Sequence, residues 1–448
     1  MLKRVFWVAL FTGLSHLISI ITISYVLRNL GEETSGYLGV IDSTIMLVAS
    51  IISFGIQLAV NRNVATRTSW QSNYKLGQSS RLMLSFFVLA FGVVAYTIQG
   101  DIDLLIYCYA PLIALNGDYA LYGNGKPIIA ASLSFLRVAL PNLGIIFTAH
   151  FFGVNVLPIY ILLLALGTLA VGIISAYYNG VSYFYMPRKK FLKFYFKYSK
   201  IGIYQILGVL LVPSILVVAN WFYTIAIIGL VNGLLKLLIV YKGGLRIVVQ
   251  TFFKEIKEEK TDLKIDKASL IAWGAISIPV IIYYKTTLFL LFENKYDNIP
   301  LILPFLGGVM FLASFRNASE AKALIQKRDN LNLYVFLTAL IIEISIVVIF
   351  SFTSYAIWGI PIGLFIAELI IVLGLGFGLN KINFFTDRVR FISMLIPPLF
   401  FAWCINFFIG ESYITLGISV IIYAIWSLLF FRKLIFGSLV KLENKTFN

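Results

Sequence analysis

The sequence predicts an all-α membrane protein of about 14 spanning helices, arranged as two pseudo-symmetric six-helix lobes with two further helices at the C-terminal end. Three observations carry this expectation. The chain is 60% hydrophobic and 12% charged, with a mean hydropathy of +0.91, a balance that suits a lipid solvent rather than water. Its apolar residues fall in runs of about 20, the length needed to cross a hydrocarbon core of about 30 Å. Its basic residues gather between alternate runs.

Taken in order, spans 1 to 6 run at about 5–27, 37–60, 82–99, 104–123, 128–151 and 156–178. Spans 7 to 14 run at about 201–219, 223–250, 270–292, 299–318, 331–351, 357–379, 391–409 and 413–431. Lys3 and Arg4 precede a first run too long for a signal-peptide core and without a small-residue cleavage site, so it reads as a retained span. Lys236, Lys242 and Arg246 interrupt span 8, and Gly243-Gly244 is a candidate break in it. The chain then divides into an N-terminal lobe at 1–180, a basic linker at 181–200, a C-terminal lobe at 201–380, and residues 381–448 with the last two spans.

With both termini cytoplasmic, 31 of the 36 Lys and Arg residues fall in cytoplasmic loops, tails or adjoining span ends, and Arg28, Lys285 and Lys295 fall outside. This asymmetry follows the positive-inside rule and sets the orientation. It also accounts for the net charge of +16, so no nucleic-acid partner is expected. The clusters Arg188-Lys189-Lys190 with Lys193, Lys197 and Lys200, and Lys254 to Lys267, suit anionic membrane lipids. Cys108 and Cys404 lie far apart in apolar segments with no His or Cys at ligand spacing, so neither a disulfide framework nor a metal or cofactor site is expected. The outer loops are too short to hold a polymerase acceptor, and Asp101-Ile-Asp103 on such a loop matches a glycosyltransferase DxD only by coincidence; the chain does not read as an enzyme.

Ala120 to Phe147 and Ala323 to Phe350 each run from the end of a fourth span, through a basic turn, into a fifth. This weak repeat implies duplicated halves related about an axis along the membrane normal, with a transport cavity between two lobes.

Ionisable groups inside spans are costly, about 2.5 to 3.5 kcal/mol for a central ion on insertion scales. Arg137, Glu343 and Glu368 fall near the midplane; Asp42, Asp118 and Lys236 lie shallower. One reading makes Arg137 and Lys236, with Arg62 and Arg316 at inner span ends, a positive site for a diphosphate headgroup, since guanidinium forks suit phosphate oxygens. The other pairs Arg137 with Glu343 or Asp118 and lets Arg62 and Arg316 snorkel to the interface. The acids Asp42, Asp118, Glu343 and Glu368 are candidates for reversible binding of H⁺ or Na⁺, or for neutralising partners. His16 and His150 read as packing residues. Gly359-x-x-x-Gly363 reads as a close-packing helix face.

Residues 28–65 resemble the opening signature of Wzx-type flippases in the multidrug/oligosaccharidyl-lipid/polysaccharide (MOP) exporter superfamily. The matching positions are Leu30-Gly31, Gly36-Tyr37, Phe54-Gly55, and Arg62 with Ala65. A second similarity runs from Lys327-Arg328 through span 11 to Trp358-Gly359-Ile360-Pro361-Ile362-Gly363 and Glu368. The chain departs from the family at the cytoplasmic end of span 8, where relatives often carry Pro and Thr251-Phe252-Phe253-Lys254 stands here. The resemblance implies a MATE-like fold in a bacterial inner membrane. It implies translocation of undecaprenyl-diphosphate-linked oligosaccharide, an O-antigen or capsule unit, to the outer leaflet by alternating access, commonly with a cation gradient. A polysaccharide polymerase and a chain-length regulator would be partners. The rivals are a drug or cation exporter of the same superfamily, and a membrane polymerase or glycosyltransferase.

Overall fold

A computed structural model of the chain describes residues 2–56, 70–100, 102–152, 156–186, 195–196, 199–251, 261–326, 328–379 and 383–435. The described residues form helices α1 (Leu2–Asn29), α2 (Glu32–Ser53), α3 (Gln71–Gln99), α4 (Ala110–Leu115), α5 (Tyr119–Gly123), α6 (Pro127–Phe152), α7 (Val156–Asn179), α8 (Ser199–Leu211) and α9 (Ile215–Ala219). They continue as α10 (Ile225–Thr251), α11 (Thr261–Ser277), α12 (Tyr284–Phe292), α13 (Ile302–Ile325), α14 (Asp329–Ser351), α15 (Gly359–Gly378), α16 (Asn383–Ser393), α17 (Ile396–Ile409) and α18 (Tyr413–Ile435).

Among the described residues, 11 helices are long and apolar enough to cross a membrane, or 12 when the bent pair formed by α16 and α17 counts as one. The other two expected spans are broken. Span 4 is a 3₁₀ stretch (Ile102–Tyr109) followed by α4 and α5, and span 7 is α8 and α9. Asn116 leaves α4 in an extended conformation (ψ 120), and Pro213 falls in the gap before α9, where its missing N–H removes a helical hydrogen bond. Span 9 is interrupted by a π turn, Ile278–Ile282, that contains Pro279. Conversely, Gly243-Gly244 does not break its helix: α10 is continuous from Ile225 to Thr251, because a glycine in a packed helix costs only about 1 kcal/mol.

The chain forms two compact units, one from Lys3 to Gly233 and the other from Leu234 onward. In the first, the glycines of the opening signature have specific work. Gly31 (φ 90) makes the short joint between α1 and α2, and Phe54 (φ 35) with Gly55 (φ 74) turns the chain out of α2 through left-handed conformations. A Cβ on Gly36 would sit 2.1 Å from the carbonyl oxygen of Ile225, and one on Gly229 would sit 1.8 Å from that of Glu32. The start of α10 therefore lies backbone to backbone on α2, sealed by bonds from Ser35 Oγ to the Gly229 carbonyl (2.9 Å) and from Asn232 Nδ2 to the Ser35 carbonyl (2.9 Å).

The expected internal repeat has a matching hydrogen-bond pattern in each unit. Asn124 N–H bonds the Ala120 carbonyl and Lys126 N–H the Leu121 carbonyl, as Gln326 N–H bonds Lys322 and Arg328 N–H bonds Ala323. Each set ends one helix before the next begins. The basic residue that closes each turn then reaches the end of a neighbouring helix: Lys126 Nζ donates to the Tyr178 carbonyl (2.5 Å) and Arg328 Nη1 to the Gly378 carbonyl (2.6 Å). A cation on the last carbonyls also favours the helix dipole.

Candidate functional site

In the second unit the site is built on α13, most of whose residues are buried. A charge on such a helix must find partners inside the protein. Arg316 does so with a fork: Nε lies 2.8 Å from Glu368 Oε2 and Nη2 3.1 Å from Oε1, while Nη1 meets Glu320 at 2.8 Å one turn along the same helix. The Lys242 ammonium of α10 completes the shell around Glu368, and the guanidinium lies over the Phe336 ring at 5.5 Å. Arg316 was expected at a span end, binding a headgroup or snorkelling; it is 7% exposed and committed to carboxylates instead. Glu368, one of the four candidate ion-coupling acids, here neutralises two cations.

Glu343 on α14 differs in kind. It is fully buried, and neither carboxyl oxygen has a hydrogen-bond partner among the described residues. Gly363 brings α15 against it, since a Cβ there would lie 3.1 Å from Glu343 Cγ; Lys242 and Glu368 are within electrostatic reach. A bare carboxylate without partners there would cost several kcal/mol. Lys236 is half-buried on α10, about 9 Å of helical rise before Lys242.

In the first unit, Arg137 meets Asp118 at 3.4 Å, and the two side chains are 34% and 15% exposed. Of the two partners expected for Arg137, Asp118 is the one found. Asp118 sits at the break between α4 and α5, and its N–H bonds Asn116 Oδ1 (3.1 Å). Broken helices within a membrane free carbonyls that something must satisfy. Here Arg81 donates to the carbonyls of Asn116 (2.7 Å) and Ile113 (2.9 Å), and Gln78 to that of Leu115 (3.2 Å). Gly117 fits under Tyr74, whose hydroxyl a Cβ would meet at 2.0 Å. Elsewhere in the unit the Tyr160 hydroxyl donates to Asp42 and the Tyr109 hydroxyl to Thr168. Arg62 and the basic cluster at 188–190 lie outside the described residues.

Sequence reasoning missed Arg81, Asp266 and Arg388 as buried groups, and the half-buried Lys242 as a partner of Glu368. Arg388 on α16 donates to Asp266 on α11 and, through Nε at 3.0 Å, to the Phe315 carbonyl; Asp266 Oδ1 also accepts from the Ala318 N–H at 2.7 Å. The available signal was helical spacing that carries on past the apolar run: Ile265, Ser269 and Leu270 are buried on the same face as Asp266.

No protein-family model and no curated protein matches this sequence. Solved structures do. The chain is similar to the lipid II flippase MurJ in an inward closed conformation, at 16% identity and a TM-score of 0.67, over 96% of this chain and 99% of that one. It is also similar to an inward-facing multidrug resistance MATE family transporter of the MOP superfamily, at 16% identity and a TM-score of 0.60, over 85% and 95% of the two chains. A MATE protein in a bent conformation matches at 14% identity and a TM-score of 0.54, over 87% and 95%. This multi-pass membrane chain thus has the fold seen in the solved lipid II flippase and MATE transporter structures.

Proposed function

We propose that the chain is a flippase of the bacterial inner membrane that carries undecaprenyl-diphosphate-linked oligosaccharide to the outer leaflet by alternating access. One observation carries the reading. Arg137, a cation in the middle of a span, stays one-third exposed and meets its carboxylate at a single 3.4 Å contact. A pair held so loosely can exchange Asp118 for a phosphate oxygen, and a guanidinium binds phosphate better than carboxylate geometry allows at one point of contact. In the second unit Lys242 and Lys236 are the corresponding cations, while Arg316 anchors Glu368. The coupling acid we assign is Glu343, the one candidate acid whose two oxygens lack partners among the described residues. Of the other three, Asp42 is bonded to Tyr160, Asp118 to Arg137 and Glu368 to Arg316 and Lys242. Both termini would then be cytoplasmic, and a polymerase with its chain-length regulator would act on the product.

The test is transport in vesicles of the purified protein loaded with a fluorescent polyprenyl-diphosphate oligosaccharide. Arg137→Glu should abolish flipping at normal protein levels. Glu343→Gln should leave the protein folded and make flipping indifferent to an imposed proton or Na⁺ gradient. Retained flipping in Arg137→Glu sinks the headgroup assignment, and a retained gradient response in Glu343→Gln sinks the coupling assignment. The unpartnered acid Glu343 also suits a second reading, export of an organic cation, which predicts that Arg137→Glu preserves transport of a cationic dye.

A further inference from the structure

We propose that Arg81 and Arg388 are equivalent positioning residues. Each clamps the same turn of a duplicated span and thereby sets the ion pair that follows it, Asp118 with Arg137 in the first unit and Arg316 with Glu368 in the second. The proposal rests on the flippase reading and deepens it.

The equivalence comes from the repeat. The paired turn hydrogen bonds, Lys126 to Leu121 and Arg328 to Ala323, align the two units by a constant offset in numbering. The same offset carries Ile113 onto Phe315 and Asn116 onto Ala318. Ile113 is the residue whose carbonyl accepts from Arg81 Nη2 at 2.9 Å, and Phe315 the one whose carbonyl accepts from Arg388 Nε at 3.0 Å. At the next matched position Arg81 Nη1 takes the Asn116 carbonyl, while the Ala318 N–H is taken by Asp266, the carboxylate that holds Arg388. Each guanidinium has a second partner on the third helix of its repeat: Gln78 Oε1 on α3 at 2.7 Å, and Asp266 on α11. Both side chains are buried, at 0% and 2% exposure.

The arginines themselves arrive by different routes. Arg81 lies one turn along α3 from Gln78, whereas Arg388 comes from α16, which belongs to the terminal pair and has no counterpart in the first unit. Two unrelated helices delivering the same group to the same carbonyl mark that carbonyl as the feature being held. What it holds follows directly along the chain. Asp118 is two residues beyond Asn116 and bonded to its side chain, and Arg316 is the residue after Phe315. Each clamp reaches its ion pair through the backbone that it holds.

The experiment is a pair of double-variant cycles on the full-length detergent-purified protein, read as binding of undecaprenyl diphosphate. Arg81→Lys keeps the charge and loses the fork, and should weaken binding about tenfold. In an Arg137→Gln background the same change should cost nothing further, because its effect passes through Arg137. Arg388→Lys should behave likewise with Lys242→Gln, whose ammonium shares Glu368 with Arg316. Losses that multiply in the double variants, or single variants that bind like the parent, overturn the proposal. Gln78→Ala, which leaves Arg81 in place without its amide partner, repeats the first cycle if Arg81→Lys does not fold. Should the parent bind no undecaprenyl diphosphate, the flippase reading fails, and the clamp is read by hydrogen exchange. Amides of residues 116–122 should then exchange at least about tenfold faster in Arg81→Lys, as expected for loss of charge-assisted hydrogen bonds; unchanged exchange there rejects it.

Discussion

In the first unit Arg137 keeps 34% of its side chain exposed and touches Asp118 once, at 3.4 Å; in the second, Arg316 is sealed and grips Glu368 at two points, 2.8 and 3.1 Å apart from its oxygens. Arg137 stands on the fifth span of the first repeat and Arg316 on the fourth of the second, and only Arg137 is left exposed by its neighbours. An exposed single contact is worth little and is easily traded for another anion. A buried, bidentate one with a second cation beside it cannot be opened without stranding a charge. On the proposed function the two pairs would have different duties, exchange in the first unit and rigidity in the second.

The sharpest way to break this comparison is to remove the acid from each pair. Glu368→Leu leaves Arg316 and Lys242 without their shared carboxylate and should cost about 3 to 5 kcal/mol, seen as loss of monodisperse protein on gentle heating in detergent. Asp118→Asn should cost about 1 kcal/mol or less, with the protein still folded in the same assay. Equal losses would remove the distinction between the pairs.

A smaller effect tests whether the first unit also has rigid parts. Gly229→Ala forces a methyl group into the Glu32 carbonyl, 1.8 Å away, and should destabilise by about 1 to 3 kcal/mol through overpacking. Gly244→Ala, with open space around the added carbon, is the control and should be neutral or slightly stabilising on the same thermal scan. A modest effect is expected from Tyr160→Phe, which deletes one hydrogen bond to Asp42 and should cost about 1 kcal/mol, measured as a small drop in midpoint temperature with binding retained.

How much of this was legible before the structure depended on where each helix begins. The apolar runs located the membrane-crossing segments, and the three midplane groups Arg137, Glu343 and Glu368 are indeed inside helices. The missed residues share one cause. Hydropathy ends a span at its first charge, but α3 starts at Gln71, α11 at Thr261 and α16 at Asn383, each two or three turns before the run that announces it. Arg81, Asp266 and Arg388 sit in those extensions and were read as loop charges. A charge is compatible with a buried helix when a partner from another helix cancels it, and such partners, separated by 122 residues for Asp266 and Arg388, leave no local mark. Lys242 was hidden differently: it was counted among basic residues at an inner span end, where snorkelling would have explained it. The breaks in spans 4 and 7 were equally silent, since composition alone does not say whether an apolar run is one helix or two.

The π turn at Ile278–Ile282 has a consequence for tolerance to length. Such a turn carries one residue more than the regular winding on either side, so α12 is rotated by about 100° from the azimuth that an uninterrupted helix would give it. Tyr283, which leaves the turn and bonds Ser419 on α18 at 2.9 Å, owes its direction to that surplus residue. The first repeat spans the same stretch with the unbroken α3. Losing one residue here would shorten the segment by little and re-aim the whole C-terminal half of the span, so its register is policed by angle rather than by depth.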